Sequence, residues 1–366
     1  MIKFRWVVLV KKTKSLGDVR IKTPNKKRKI IIISVIGVLA FGLLICLFYF
    51  LLGMNGTEKE KEGNTQVDNI NTVEKKKLTV YDTSSNKRPI AIMIDNNVGN
   101  NAHVGLQDAY LTYEIIVEGG LTRIMAIYKD VDTSVIGPVR SSRHYFLDYA
   151  LESDAIYAHY GWSTYAENDI KALGVNNING LYDDGYYRNY NIAAPHNVFT
   201  SISDLTEVAS NKGYRVTSDD YELLNYTPDV IDLSSYVGVL NANNVSVTYS
   251  YNARSYTYDA TNKYYLRYMN NSPHTDRDSK EQYHYKNIII MKVSNRTLDS
   301  YGRQDLDTVG TFEGYYLTNG YAIPITCVKN ARNGKTHYYY ENEEIEVNDG
   351  NTMIQIVPIN SNIIIS

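Results

Sequence analysis

Cysteine is scarce in this chain, and that scarcity excludes a fold stabilised by disulfide bonds. The 366 residues include two cysteines, Cys46 and Cys327. Cys46 lies inside a long apolar run near the N-terminus, whereas Cys327 lies far from it, near the C-terminus. Two cysteines in such different contexts do not form the paired framework of a small secreted domain.

The sequence also lacks the short motifs that mark common catalytic and cofactor sites. Its seven histidines form no H-E-x-x-H pattern or close pair, so a zinc site is not indicated. No G-x-S-x-G elbow marks a serine nucleophile, and no glycine-rich loop after a strand marks a phosphate site. The sequence therefore predicts no metal and no cofactor.

Positive charge is concentrated at the N-terminus, and the rest of the chain is acidic. Residues 1–29 contain eleven lysines and arginines and one acid, Asp18, whereas residues 30–366 carry a formal net charge of −12. An acidic chain disfavours nucleic acid and anionic membrane surfaces as partners, because both repel negative charge. We therefore expect no nucleic-acid partner.

An uncharged stretch of 23 residues, Ile30–Leu52, follows the basic segment. At about 1.5 Å per residue, a helix of this length crosses the roughly 30 Å hydrocarbon core of a bilayer. The preceding basic residues belong on the cytoplasmic side of the membrane. The sequence thus predicts a single-pass signal anchor in the cell membrane, a cytoplasmic N-terminus, a disordered polar linker over Gly53–Lys77, and extracellular domains after it.

Beyond the linker, the pattern changes from strands mixed with helices to strands alone. Short apolar runs such as Pro89–Asp95 predict buried strands, and segments near residues 144–153, 165–173 and 201–212 have helical spacing. From about residue 229 the apolar residues alternate, and Asn319-Gly320 predicts a hairpin. The sequence therefore predicts a mixed α/β domain over residues 78–228 and a β-rich domain over residues 229–366.

Charged residues cluster at predicted strand ends between residues 113 and 143. Two apolar runs, Ile115–Val117 and Ile124–Tyr128, flank Gly119-Gly120, which predicts a tight reversal between strands. The charged residues around these runs and after the following Gly-Pro turn are Glu114, Glu118, Arg123, Arg140 and Arg143. Because the planar fork of arginine suits carboxylate or phosphate, this cluster predicts a site for an anion.

This stretch, together with Ala194-Pro195-His196-Asn197, resembles the YerB-like family of Gram-positive cell-envelope lipoproteins, which is built from domains of unknown function. Two further matching segments are Pro273–Asp276 and Asn348–Pro358, and the resemblance covers roughly residues 88–365. It implies an architecture and a location but no established reaction. One departure from the family is that Ile45, which precedes Cys46, is too bulky for a lipid-attachment signal, and this favours an uncleaved anchor.

The resemblance also implies a set of polar site residues. They are Glu114, Glu118, Arg123, Arg140, Arg143, His159, His196 and Asn197. We expect most of them to gather along one edge of the sheet, because each ends or follows a strand, with Arg140 or Arg143 paired to Glu118. The competing interpretation is a buried polar network that fixes loop geometry, since buried charges must be paired.

Two functions are consistent with this set. The first is the binding of peptidoglycan, another wall polymer or an envelope protein, and the 34 tyrosines would then offer stacking surfaces for sugars unless they reflect an AT-rich genome. The second is a wall-active hydrolase or lyase that uses Glu118 as its acid or base, with His196 as a second catalytic residue. Glu114 and Glu118 would lie roughly 13 Å apart on a strand, too far for paired glycosidase carboxylates, which favours the binding function.

Overall fold

The computed structural model describes residues 76–219, 222–250 and 252–366, and residues 74–366 form one compact unit. The predicted anchor Ile30–Leu52 and nearly all of the predicted linker Gly53–Lys77 lie outside the described residues. Within the described ranges, no helix is both long enough and apolar enough to cross a membrane.

The described chain is mostly β-structure, with three α-helices. The helices are α1 Phe146–Glu152, α2 Thr164–Leu173 and α3 Ile202–Asn211. The strands before residue 230 are β1 Ile90–Asp95, β2 Leu111–Ile116, β3 Thr122–Tyr128, β4 Ile156–His159, β5 Asn177–Asn179, β6 Tyr186–Arg188, β7 Val198–Thr200 and β8 Tyr226–Thr227. The later strands are β9 Leu240–Asn241, β10 Asn244–Tyr249, β11 Asn252–Asp259, β12 Tyr264–Met269, β13 Ser272–Pro273, β14 His284–Tyr285, β15 Asn287–Val293, β16 Asn295–Thr297, β17 Gln304–Leu306, β18 Gly310–Thr318, β19 Tyr321–Lys329, β20 Thr336–Tyr340, β21 Glu343–Glu344, β22 Val347–Asn348, β23 Thr352–Pro358 and β24 Asn362–Ile365.

A single twelve-stranded sheet runs through both halves of the sequence. Its order is β21-β20-β19-β18-β15-β23-β2-β3-β1-β4-β5, and β9 also pairs with β19. β2 lies parallel to β23, with Leu111 opposite Thr352. Strands from both sides of residue 228 are therefore hydrogen-bonded in one sheet, which the predicted α/β and β-rich domains share.

The two faces of this sheet are covered by different layers. Tyr113 points to one face and donates a hydrogen bond of 2.7 Å to Glu152 at the end of α1. Its neighbour Glu114 points to the other face, toward Arg254 on β11 of a second sheet. That second sheet has six strands, in the order β13-β12-β11-β10-β24 with β14 also paired to β12. Because both faces are covered, every residue of β2 is buried, including the polar Thr112 and Glu114.

Local signals in the sequence agree with the observed elements. β2 and β3 are antiparallel, and Gly119 and Gly120 between them have φ values of 66° and 71°, which glycine adopts at little cost. The side chain of Ser201 accepts a hydrogen bond from the backbone N–H of Asp204 and so caps the N-terminus of α3. Gly174, with φ of 64°, ends α2.

Candidate functional site

One edge of the large sheet gathers most of the predicted polar residues. β1 and β2 both run antiparallel to β3, and β4 and β5 run parallel to β1. The carboxyl ends of these four strands therefore share an edge, where ligands commonly bind in sheets of this kind. Asp95 ends β1, His159 ends β4, and Glu118 follows β2.

Asp95 joins two of the predicted cationic residues. Its Oδ2 lies 3.0 Å from Nε of Arg140 and 2.6 Å from Nδ1 of His196. The Asp95 side chain is buried, whereas those of Arg140 and His196 remain 24% and 30% exposed. The carboxylate thus fixes both side chains and leaves part of each open to a ligand. The only sequence signal for Asp95 was its place at the end of a predicted buried strand.

A second carboxylate at this edge, Glu118, pairs with Arg143. Glu118 accepts hydrogen bonds from Nε and Nη2 of Arg143, the latter at 2.8 Å. Burial raises the pKa of Glu118, but the hydrogen bonds and positive charge of Arg143 outweigh burial and lower the pKa below its usual value. Glu118 is therefore ionised at neutral pH, and it would have to gain a proton before it could act as a general acid.

Arg123 lies almost buried next to this pair. Its Nη1 donates a hydrogen bond to the carbonyl oxygen of Ser141. Burial and, to a smaller extent, the nearby charge of Arg143 lower the pKa of Arg123 to about 10. A pKa of about 10 keeps the guanidinium charged at neutral pH, so Arg123 adds a positive charge beneath the edge.

Arg188, at the end of β6, belongs to the site although the sequence did not indicate it. Its Nη1 donates to Oδ1 of Asn197 at 2.7 Å, and its Nη2 donates to the hydroxyl of Tyr160 at 3.2 Å. The guanidinium also lies 5.0 Å above the centre of the Tyr160 ring. Both partners are neutral, and within the described part of the chain Arg188 forms no ion pair. Its charge is therefore available to an anion.

A cleft of about 450 Å³ opens beside Arg140 and Arg188. Its lining residues are Val139, Arg140, Ser141, Tyr160, Gly161, Trp162, Leu181, Arg188, Pro195 and Val198. An exposed aromatic side chain stands beside the lining: Tyr182 is 76% exposed, and its ring lies 5.8 Å from that of Trp162. The cleft thus combines guanidinium groups with aromatic surface.

Comparison with known proteins places this architecture in a family. The N-terminal and C-terminal domain models of the protein of unknown function DUF3048 match residues 78–215 and 245–354. The Bacillus subtilis (strain 168) protein named "Putative lipoprotein YerB" is 30% identical over 277 residues, which are 74% of this chain and 82% of that protein. The chain belongs to the YerB-like DUF3048 family. The crystal structure of YerB from Bacillus subtilis matches with a TM-score of 0.67 at 28% identity, over 76% of this chain and 94% of the other.

The residues that line the cleft of this DUF3048 protein all belong to the N-terminal domain. Glu114 belongs to the same domain, but its side chain points toward residues of the C-terminal domain. Its carboxylate is fully buried and accepts hydrogen bonds from Arg254 at 2.6 Å and Arg267 at 2.7 Å. Gln355 and Thr122 donate to the same carboxylate. The expectation that Glu114 binds a ligand therefore needs correction, because its oxygens are enclosed between the two sheets and already occupied.

His159 and Asn197 support the cleft without being open to it. The His159 ring is buried, and its two nitrogens lie 2.8 Å from the carbonyl oxygen of Gly161 and 3.2 Å from Oδ1 of Asn177. Burial lowers the pKa of His159 to about 4, so the ring is neutral at physiological pH. Asn197 is buried and orients Arg188. The structure therefore gives both residues a supporting position in place of the predicted ligand contact.

The balance of charge at the edge is positive. Four guanidinium groups, those of Arg123, Arg140, Arg143 and Arg188, stand against two carboxylates, those of Asp95 and Glu118. This excess is notable in a chain that is acidic after its first 29 residues. Among the residues that the structure describes, no group of three or more His, Cys, Asp or Glu side chains is arranged to hold a metal ion. The arrangement therefore suits recognition of an anion by guanidinium groups.

Proposed function

We propose that this DUF3048 protein is held at the cell membrane and binds an anionic polymer of the cell envelope in the cleft. The observation that carries the proposal is Arg188, a half-buried guanidinium whose side-chain partners, Asn197 and Tyr160, are both neutral. A partly desolvated guanidinium attracts an anion more strongly than one in water, because the local dielectric is lower. Arg140, whose Nε faces Asp95, adds a second guanidinium to the same cleft.

The aromatic surroundings support a glycan as the carrier of the anionic groups. Trp162 lines the cleft, and the exposed Tyr182 ring lies 5.8 Å from the Trp162 ring. Large aromatic rings with one free face offer apolar area at low conformational cost, and the apolar face of a sugar ring can pack on them. A polymer with alternating sugar and phosphate or carboxylate groups would use both features. An envelope protein remains the other candidate partner.

The proposed location rests on the segment before the described residues. Ile30–Leu52 has the length and the lack of charge of a membrane anchor, and basic residues precede it. The relative YerB is named as a lipoprotein, which would also place a protein outside the cell at the membrane. The intact mass of the membrane-extracted protein tests the anchor: we expect the full chain, whereas a mature N-terminus at Cys46 that carries lipid would overturn the uncleaved anchor.

The alternative function is a wall-active hydrolase or lyase with Glu118 as acid or base. One observation favours catalysis, namely the 2.6 Å contact between Asp95 and His196, which orients the imidazole as a carboxylate does in many acid–base sites. Against it, Glu118 is ionised and engaged by two nitrogens of Arg143. Release of soluble fragments from purified cell walls by the wild-type protein would establish this alternative.

Replacing Arg188 with glutamine should weaken polymer binding about tenfold or more, because charge-assisted hydrogen bonds contribute about 1.5–3 kcal/mol. The measurement is calorimetric titration of residues 74–366 with poly(glycerol phosphate) and with a polyuronic acid, which separate phosphate from carboxylate recognition. Dextran serves as the neutral ligand.

The matched control is Arg215→Gln, which removes an exposed guanidinium that pairs with Asp154. We expect Arg215→Gln to bind like the wild type, and both variants to keep the wild-type melting temperature within a few degrees. Equal loss of binding in both variants, or equal binding of dextran and the polyanions, would refute the proposal.

A further inference from the structure

A chain of fully buried side chains runs from the space between the two sheets to the cleft. It begins at Glu114, which accepts a hydrogen bond from Nη2 of Arg267, while Nη1 of Arg267 contacts Nδ1 of His274. Nε2 of His274 lies 2.8 Å from Nδ1 of His103, and Nε2 of His103 lies 2.5 Å from the carbonyl oxygen of Asp95. Asp95 is the residue that contacts both Arg140, which lines the cleft, and His196, which follows the lining residue Pro195.

From Arg267 to Asp95, the hydrogen bonds of this chain have a single direction. A guanidinium can only donate, so Nδ1 of His274 must accept from Arg267 and its Nε2 must carry the proton. Nδ1 of His103 then accepts, and its Nε2–H donates to the Asp95 carbonyl. Burial lowers the pKa of His103 to about 4 and that of His274 well below its usual value, so both rings are neutral, as this pattern requires.

The loop that carries His103 is also held by backbone contacts from the C-terminal range. The segment after β13 supplies them: Thr275 N–H donates to the carbonyl of Asn100, and Arg277 N–H donates to the carbonyl of His103. The side chain of Asp276 accepts from the N–H of Gly105 at 2.8 Å. The C-terminal half of the sequence thus fixes the position of a loop that belongs to the N-terminal half.

We propose that His103 and His274 are positioning residues that set the geometry of the cleft through Asp95. Neither ring is open to a ligand, so neither residue contacts the polymer. Their effect is to hold the Asp95 backbone at the end of β1, so that its carboxylate meets Arg140 and His196 together. The consequence for polymer affinity rests on the proposed function, whereas the consequence for the Asp95–His196 contact does not.

The test compares His103→Phe with His103→Gln and with a control far from the chain. Phenylalanine keeps the ring and removes both nitrogens, whereas glutamine can still accept with Oε1 and donate with its amide N–H. The control is Lys329→Met, which breaks a buried ion pair with Glu152 at 2.6 Å that has no contact with Asp95. The first readout is the nitrogen NMR spectrum of the His196 ring, and the second is calorimetric affinity for poly(glycerol phosphate), both on residues 74–366.

In the wild type and in His103→Gln we expect His196 to carry its proton on Nδ1, facing Asp95. In His103→Phe we expect this preference to be lost and the affinity to fall at least fivefold. Lys329→Met, although destabilised, should keep the wild-type His196 spectrum and affinity. If His103→Phe does not fold, His103→Asn, whose amide is too short to reach both Asp95 and His274, takes its place.

Two results would overturn the inference. One is a folded His103→Phe or His103→Asn variant with the wild-type His196 spectrum, and the other is the same spectral change in Lys329→Met. Failure of the proposed function has a different signature: the wild-type protein would not bind the polymer, while the His196 spectra would still respond to the His103 variants.

Discussion

Replacing Glu114 with glutamine should lower the free energy of unfolding by about 3–5 kcal/mol, because it leaves two buried guanidinium groups without a counter-charge. Arg254 and Arg267 are both fully buried, and Glu114 is the carboxylate that faces them. Burial raises the pKa of Glu114, but these two charges and the hydrogen bonds it accepts outweigh burial and bring the pKa to about 2. The carboxylate is therefore ionised across the physiological range.

Urea unfolding of residues 74–366, followed by circular dichroism, measures this change. The matched control is Glu313→Gln on β18, whose side chain is 90% exposed and lies 3.7 Å from Lys292. We expect the control to change stability by less than about 1 kcal/mol, as exposed ion pairs usually do. A Glu114→Gln protein as stable as the control would show that the Glu114 network does not hold the two sheets together.

Acidification from pH 6.5 to pH 4 should destabilise the protein by several kcal/mol. His103 and His159 have pKa values lowered by burial from 6.5 to about 4, and the pKa of His274 is lowered further. In this range the unfolded chain binds protons at these histidines and the folded chain does not, so stability falls as pH decreases. The lowering of the pKa to about 4 at each of His103 and His159 corresponds to a loss of at most about 3 kcal/mol in the free energy of unfolding.

The measurement is the urea midpoint at half-unit pH steps between 7.5 and 4. We expect the urea midpoint to be nearly constant above pH 7 and to fall steadily below pH 6.5. The fall should continue below pH 4.5, because Glu114 then gains a proton in the unfolded chain but not in the folded one. His159→Asn should flatten part of the slope between 6.5 and 4, because it removes one of the titrating groups. A midpoint that stays constant down to pH 4 would contradict neutral, buried histidines in the folded state.

The local elements of this fold were predictable because their signals lie within a few residues of one another. Gly119-Gly120 between two apolar runs indicated the β2–β3 reversal, and helical spacing near residues 201–212 indicated α3, which Ser201 caps. Each rests on a local property, namely the conformational freedom of glycine or the ability of a serine oxygen to cap a helix. Such properties act regardless of the rest of the chain.

The pairing of distant strands was not predictable in the same way. β2 and β23 are separated by more than two hundred residues, yet they are neighbours in the large sheet. Their apolar runs indicated that each is a buried strand, but an apolar run carries no signal for its partner. The change of pattern near residue 228 therefore indicated two domains, but it did not indicate that strands of both pair in one large sheet.

The candidate site was predictable only where its residues end strands that the sequence revealed. The expected pairing of Glu118 with Arg140 or Arg143 is present as Glu118–Arg143. Arg188 was not predicted because it lies in a tyrosine-rich stretch of sequence with no periodic pattern. Glu114 was misplaced because its partners, Arg254 and Arg267, come from strands more than a hundred residues away.

A crystal structure of residues 74–366 with a short poly(glycerol phosphate) or uronic acid oligomer tests the central claim most directly. We predict an anionic group of the oligomer within about 3 Å of terminal nitrogens of Arg188 and Arg140, with a neighbouring sugar or glycerol unit against Trp162 or Tyr182. An oligomer bound elsewhere on the surface at saturating concentration, with the cleft empty, would contradict the account.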